Sequence, residues 1–383
     1  MAAELLFWGS LGAVVYSYVL YPCIVALIVK VRGPARVLVN ERLRPSVSMI
    51  VALYNEEGVL ADKLNNLSEV EYPPEKLEFV LGSDGSTDRT VELLNAWDNP
   101  RKQVLVCPDR RGKARLLNDL VPMSTGEIVV FSDANTMYDP LTVARLVGHF
   151  ADPRVGAVCG ELMLIPEKGE PGGTGEVSYW SFENWLKKQE SDYHTMLGAS
   201  GAVYAIRRSL FTPLPADRSV ADDFILPLRV VRQGYRVVYA REARAYEQTS
   251  GSMKGEFNRK ARIGAQNFAG IADYVQLLMP GAGFVAFALW SHKIIRWCVP
   301  LLAILFIIAS VLLAPGSAFH TAVLLLEIGF LALALAGYIA ERRHIPLAFA
   351  SLPYYVTSMN VALLVGLYRF LTRQQPATWE ILR

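Results

Sequence analysis

Apolar runs long enough to cross a bilayer stand at both ends of this chain and constrain everything between them. The first, roughly Leu5 to Val31, exceeds what a hydrocarbon core of ~30 Å requires. Glu4 precedes it, and Lys30, Arg32 and Arg36 follow it. A cleavable signal would carry its positive charge first and end in a small-residue site, and neither pattern is present. The positive-inside rule therefore makes residues 1–32 an anchor in the cell membrane, with the N-terminus outside and the following chain in the cytoplasm.

Three further apolar stretches, roughly Ile294 to Leu313, Ala322 to Ala340 and Leu347 to Phe370, predict about three transmembrane helices over residues 292–371, ahead of a tail at 372–383. The basic loop Glu341–His344 is expected inside and Ala314–Phe319 outside. Four crossings would return both termini to the outside, yet Arg369 and Arg373 favour the inside. A kinked or re-entrant segment near Pro353, or one misjudged span, would reconcile the count.

Between these runs the texture is that of a soluble α/β domain, about residues 45–250. Val47–Leu53, Leu77–Gly82, Gln103–Cys107, Glu127–Phe131 and Val155–Cys159 read as strands, alternating with helical patterns such as Val91–Trp97 and Asp139–Phe150. Strands alternating with helices over ~200 residues imply a mostly parallel sheet covered on both faces. The net charge of +2 gives no support for nucleic-acid binding. Cys23, Cys107, Cys159 and Cys298 show no metal-ligand spacing and read as small buried hydrophobes in a reducing compartment.

Carboxylate-bearing loops recur at the strand ends, where open α/β sheets bind ligands. Phe131-Ser132-Asp133-Ala134-Asn135-Thr136 fits a cation site on Asp133 and Asn135 that shares its shell with a phosphate, and equally an Asx-turn or helix cap. Asp84, before a glycine turn, suits a ribose or base, whereas Asp88 suits a helix first turn. Lys113, in the loop Arg110-Arg111-Gly112-Lys113, is either a phosphate partner or a solvated lysine. Asp222-Asp223 opens a helical pattern that Gly234 ends. The pair is either a cap or a general base tuned by its neighbour. Ser178–Tyr193 carries aromatics at helical spacing, mostly for packing. Pro166–Gly175 reads as a surface loop. Met253–Gln276 is basic and amphipathic, so residues 251–291 are expected as interfacial helices meeting anionic lipid.

The order Tyr54-Asn55-Glu56-Glu57, Ser83-Asp84-Gly85-Ser86-Thr87-Asp88, Gly112-Lys113, Ser132-Asp133-Ala134-Asn135 and Asp222-Asp223 resembles family 2 glycosyltransferases of the GT-A fold. The likeness is to their membrane-integrated branch, which holds hyaluronan, chitin, cellulose and poly-N-acetylglucosamine synthases. It spans about Val47 to Arg262. The resemblance implies a Rossmann-like cytosolic domain that moves a sugar from a nucleotide donor, UDP-linked, to a polysaccharide or lipid-linked acceptor. Asn55, Glu56, Glu57 and Asp84 would line the uridine pocket and Lys113 would meet the diphosphate. Asp133, with Asn135, would hold Mg²⁺ or Mn²⁺. Asp223 would be the base, with Asp222 in the preceding acidic position.

Two departures stand out. The metal motif of the family has a second aspartate where this chain has Asn135. Its processive members carry Gln-x-x-Arg-Trp where this chain reads Arg259-Lys260-Ala261-Arg262-Ile263. Arg259 and Arg262 are retained as substrate-binding candidates, Ile263 replaces the tryptophan, and Trp297 is the expected stand-in against the acceptor sugar.

Overall fold

The computed structural model describes residues 1–165, 173–249, 252–343, 345 and 347–376. Residues 166–172 of the expected surface loop, His344, and residues 377–383 of the expected tail lie outside them.

Eight strands form one sheet: β1 (Val47–Leu53), β2 (Leu77–Asp84), β3 (Lys102–Cys107), β4 (Ile128–Ser132), β5 (Met137–Tyr138), β6 (Val155–Ile165), β7 (Tyr204–Arg207) and β8 (Arg236–Gln248). Their order is β3-β2-β1-β4-β7-β6-β8-β5. The first four pair in parallel, joined by crossover helices. β7 then runs antiparallel to β4 and β6, while β6 and β8 pair in parallel. Strand order reverses where β1 lies between β2 and β4, which opens a crevice at their carboxyl ends.

Period-two alternation decides which side chain faces which layer. Ile50, Val80, Val129 and Phe131 join one core with Leu116, Leu117 and Leu120 of the helix Lys113–Met123. Met49, Val51, Phe79, Leu81 and Val130 join the other with Leu60, Leu64 and Leu67 of the helix Glu57–Ser68. With both faces of β1, β2 and β4 covered, their loops at the strand ends are left to meet a ligand.

Among the described residues, four helices are long and apolar enough to cross a membrane: Ala2–Arg32, Phe284–Gly316, Ala318–Arg342 and Ala348–Leu371. The second begins ten residues before the expected Ile294. Its polar Ser291, His292 and Lys293 look like a boundary in the sequence, but Ser291 and His292 are buried, and His292 and Lys293 bond Glu183 of the helix Gly173–Tyr193. The expected interfacial segment forms the helix Met253–Ile271 and a tighter turn at Ala272–Leu278. Ser252 caps it, accepting from the Gly255 N–H.

Candidate active site

The loops after β1 and β2 are latched together by their polar residues. Asn55 takes a left-handed φ of 50°, which asparagine tolerates, and its Oδ1 accepts the Thr87 N–H at 2.7 Å. The Glu57 N–H donates to Asp88 Oδ2 at 3.1 Å, the Arg89 N–H to Glu57 Oε2 at 3.1 Å, and the Glu56 N–H to Thr90 Oγ1 at 2.8 Å. Asp88 also accepts the Thr90 N–H at 3.0 Å, and it stands two residues before the helix Thr90–Ala96 rather than in its first turn.

Asp84 ends β2, fully buried, and takes two backbone N–H groups, from Arg111 at 2.9 Å and Gly112 at 2.7 Å. It therefore holds the basic loop in place. Gly85 allows this: at φ 68° its Cβ would lie 2.6 Å from the Arg110 nitrogen. Arg110 stacks its guanidinium 3.8 Å above the Tyr54 ring.

The carboxylates gather one strand further along. Lys113, at the head of its helix, places Nζ 3.0 Å from Asp133 Oδ1 and 3.1 Å from Asp222 Oδ1. Asp222 is buried and also accepts the Tyr204 hydroxyl at 2.7 Å. Asp223 is half-buried, and its Oδ2 accepts the Gly201 N–H at 3.0 Å. A Cβ on Gly201 would lie 3.3 Å from Asp223 Oδ2 and 3.6 Å from Asp133 Oδ2, so the two carboxylates flank one bare stretch of backbone.

Burial pushes the Asp223 carboxyl up, the Asp222 charge adds to this, and Lys113 offsets only part, leaving it at about 6. Burial also works against Asp133, but Lys113, Lys63 and Arg262 outweigh it and hold that carboxyl below its ordinary value. Two neighbouring carboxyl groups thus differ in proton affinity for identifiable reasons.

The charge of Arg262, on the helix Met253–Ile271, thus reaches Asp133, while Arg259 pairs with Glu256 at 2.7 Å. The Asn135 amide nitrogen donates to Glu247 at 3.0 Å. Trp297 departs from expectation. It is only 8% exposed and meets the rings of Phe224 (5.6 Å) and Phe268 (5.5 Å) edge-on, so packing takes up its faces.

Three side chains here went unread in the sequence. Lys63 is buried beneath the site and donates to Ser132 Oγ at 2.7 Å and the Thr136 carbonyl at 2.5 Å. Burial lowers its ammonium to about 7 against the pull of Asp133. Its signal was present: it interrupts the apolar stripe Leu60, Leu64, Leu67. Lys187, 4% exposed, reaches the Ala199 carbonyl at 3.5 Å beside the Trp180 ring. Tyr204, inside an apolar strand, gave no signal.

Residues 48–213 match the family described as Glycosyl transferase family 2. That stretch is similar to a glycosyltransferase family 2 domain. The chain is 27% identical over 236 residues to the probable glycosyltransferase YdaM of Bacillus subtilis, covering 58% of this chain and 55% of that protein. It is 24% identical over 220 residues to poly-β-1,6-N-acetyl-D-glucosamine synthase of Staphylococcus aureus, covering 56% and 53%. The chain thus spans about half the length of the curated relatives it matches. Among solved structures, the mannosyltransferase PcManGT of Pyrobaculum calidifontis, in complex with GDP-Man and Mn²⁺, superposes with a TM-score of 0.74. That likeness covers 97% of this chain and 98% of that one at 24% identity, and it supports the GT-A fold. Asp84, Asp133 and Gly201 fall inside the family 2 domain, whereas Asp222, Asp223 and Arg262 lie beyond its matched end.

Proposed function

We propose that this protein is a membrane-bound inverting glycosyltransferase. It would move a sugar from a nucleotide donor, UDP-linked, to a growing polysaccharide at the cytoplasmic face of the cell membrane. The observation that carries the reading is Asp223, a half-buried carboxylate of raised proton affinity facing Asp133 across Gly201. Similarity to a polysaccharide synthase supports the acceptor class. The basic ends of the membrane helices, Lys30, Arg32, Arg342 and Arg343, support the cytoplasmic side.

In this reading Asp223 takes the proton of the acceptor hydroxyl, using the lone pairs that the Gly201 N–H leaves open. The hydroxyl oxygen bonds to the anomeric carbon while the bond to the diphosphate breaks on the opposite face. The electron pair departs with the nucleoside diphosphate. Lys113 and Arg262 bring positive charge to that leaving group. Asp84, Asn55, Glu56 and Glu57 shape the loops on which the nucleoside would lie.

The donor set suits a hard cation. Asp133 is held ionised, Asn135 carries a side-chain carbonyl beside it, and no group of three or more His, Cys, Asp or Glu is placed for a metal among the described residues. Mg²⁺ or Mn²⁺ would then be held by Asp133 and Asn135 together with substrate phosphate oxygens. Such an ion would supply positive charge to offset the negative charge developing on the leaving diphosphate.

A second reading, single addition to a lipid-linked acceptor, draws on Ile263 at the expected tryptophan position and on the buried Trp297. The end-to-end likeness to a mannosyltransferase adds GDP-mannose to the donors worth trying. The test is nucleoside diphosphate release by purified protein across a panel of UDP-sugars and GDP-mannose, with Mn²⁺ or EDTA. Release from one UDP-sugar with long products on a gel is expected. Single-sugar products would select the second reading, and no release with any donor would overturn both. Full activity in EDTA would remove the metal.

A further inference from the structure

Contacts give each long helix a direction relative to the sheet domain. Phe7 of the first packs against Phe306 (4.7 Å) of the second and His320 (4.8 Å) of the third, whereas Tyr21 bonds Glu190 of the sheet domain at 2.6 Å. Its Phe7 end is remote from the sheet domain and its Tyr21 end is near. The second helix runs from near, where His292 bonds Glu190 at 2.7 Å, to remote at Phe306. The third returns from His320 to Arg342, roughly 33 Å of helix at ~1.5 Å per residue, enough to cross.

Ala348–Leu371 does not fit this alternation. Its start lies against the near end of the third helix: a Cβ on Gly337 would meet the Ala350 carbonyl at 2.6 Å, and the Tyr338 and Tyr354 rings are 5.9 Å apart. Its end lies against the helix Met253–Ile271, where a Cβ on Gly366 would meet the Ala261 carbonyl at 2.6 Å and Phe268 stacks on Phe370 at 6.0 Å. That helix is itself seated on the sheet domain, with Gln266 bonded to Ser219 at 2.7 Å and Gly270 pressed on Ile225. Both ends of a continuous 24-residue helix thus lie on the sheet-domain side.

We infer that Ala348–Leu371 is a membrane-surface helix, and that its outer face is a lipid-binding surface in the leaflet nearest the sheet domain. Its small residues Ala350, Ala362 and Gly366 are buried, while Phe349, Leu352 and Leu371 are 69%, 63% and 69% exposed. Exposed arginines stand at both ends, Arg342 and Arg343 before it and Arg373 after it. Bulky apolar side chains on one face with flanking cations suit the boundary between acyl chains and anionic headgroups. The chain then crosses three times, and the count places Arg369 and Arg373 with the other basic helix ends. The inference concerns the membrane region alone and holds whatever the sheet domain transfers.

The test places single cysteines in the full chain at Ser317 (S317C), between the second and third helices, and at Gln374 (Q374C). Sealed vesicles are treated with an impermeant maleimide, scored above the unsubstituted chain. Three crossings put the two positions on opposite sides, so each should label from a different face. Labelling of both from one face would mean four crossings and overturn the inference. A C-terminal epitope tag on the otherwise unchanged chain, probed with protease, asks the same question without a substitution. Cleavage from the sheet-domain side is expected, and cleavage only from the opposite side would overturn it.

Discussion

Two buried charge clusters lie some distance apart along the chain, and they are built on opposite balances. In the cleft, Asp133, Asp222 and Asp223 share Lys113, with Arg262 and the weakly basic Lys63 acting on Asp133. At the junction with the membrane helices, Glu183 faces His292 (3.0 Å), Lys293 (2.9 Å) and Arg296 (3.3 Å), and His292 also bonds Glu190. Both ring nitrogens of His292 contact carboxylates, Nδ1 that of Glu190 and Nε2 that of Glu183. Burial pushes Glu183 up, but these cations outweigh it and hold it well below its ordinary value. Cation excess makes a clamp. Carboxylates crowded around one lysine leave Asp223 with a raised proton affinity.

Asp223→Asn should break the cleft's side of this contrast most severely. It keeps size and hydrogen bonding but removes the proton acceptor, so kcat should fall by ~10²–10⁴-fold while nucleotide binding persists. Steady-state rates and nucleotide titration measure the two effects separately. If Asp222→Asn is the crippling change and Asp223→Asn is mild, the roles within the pair are reversed.

Glu183→Ala tests the clamp. It takes the carboxylate from Lys293 and Arg296 in a buried setting and leaves His292 only Glu190, and breaking a buried pair by removing one partner costs about 3–5 kcal/mol. A large drop in Tm in detergent is expected, while the pH dependence of turnover in the surviving folded protein stays where it was. Unchanged Tm would show that the junction relaxes or hydrates.

The contrast also marks where the sequence was legible. The parallel half of the sheet announced itself, because its apolar strands are short, bounded by turn residues and separated by helices. Asp84, Asp133 and Asp223 were marked by standing just after or before such elements. The return strand β8 was missed, since Arg236–Gln248 mixes charge with apolar residues along an edge region of the sheet. The junction cluster was invisible for another reason: Glu183 and His292 are 109 positions apart, and Tyr16 bonds Ser291 across 275. The two π-helical turns that meet there, Tyr16–Leu20 and Leu289–Ile294, also have no pattern in sequence. Trp297 misled for the same reason, as only its partners Phe224 and Phe268 show that its faces are taken.

Arg262 sharpens the comparison at a smaller scale, since it is a cation lent to the carboxylate-rich cleft by the neighbouring helix. A lipid-facing charge would tolerate lysine, whereas a fork closing on a diphosphate would not. Arg262→Lys should cost about 1.5–3 kcal/mol, or roughly 10- to 150-fold in kcat/KM, with donor affinity falling too. Lys260→Ala, which removes a cation from above the Tyr179 ring at 4.6 Å, should alter activity little. Equal small effects would return this helix to a lipid-contact role.

The smallest expected effect is the most specific to charge balance. If Asp223 is the base it works deprotonated, so kcat/KM should fall as pH drops through about 6, where Asp223 takes up its proton. After burial itself, the Asp222 charge is the largest influence raising that value. Asp222→Asn removes the charge while leaving an oxygen for the Tyr204 hydroxyl, and frees Lys113 from one of its two carboxylate partners. Both changes favour ionised Asp223, so the acidic limb of the pH profile should move below 6 while the activity at neutral pH falls far less than in Asp223→Asn. A limb that stays in place would mean that burial sets the proton affinity of Asp223, and that the neighbouring Asp222 charge has no part in it.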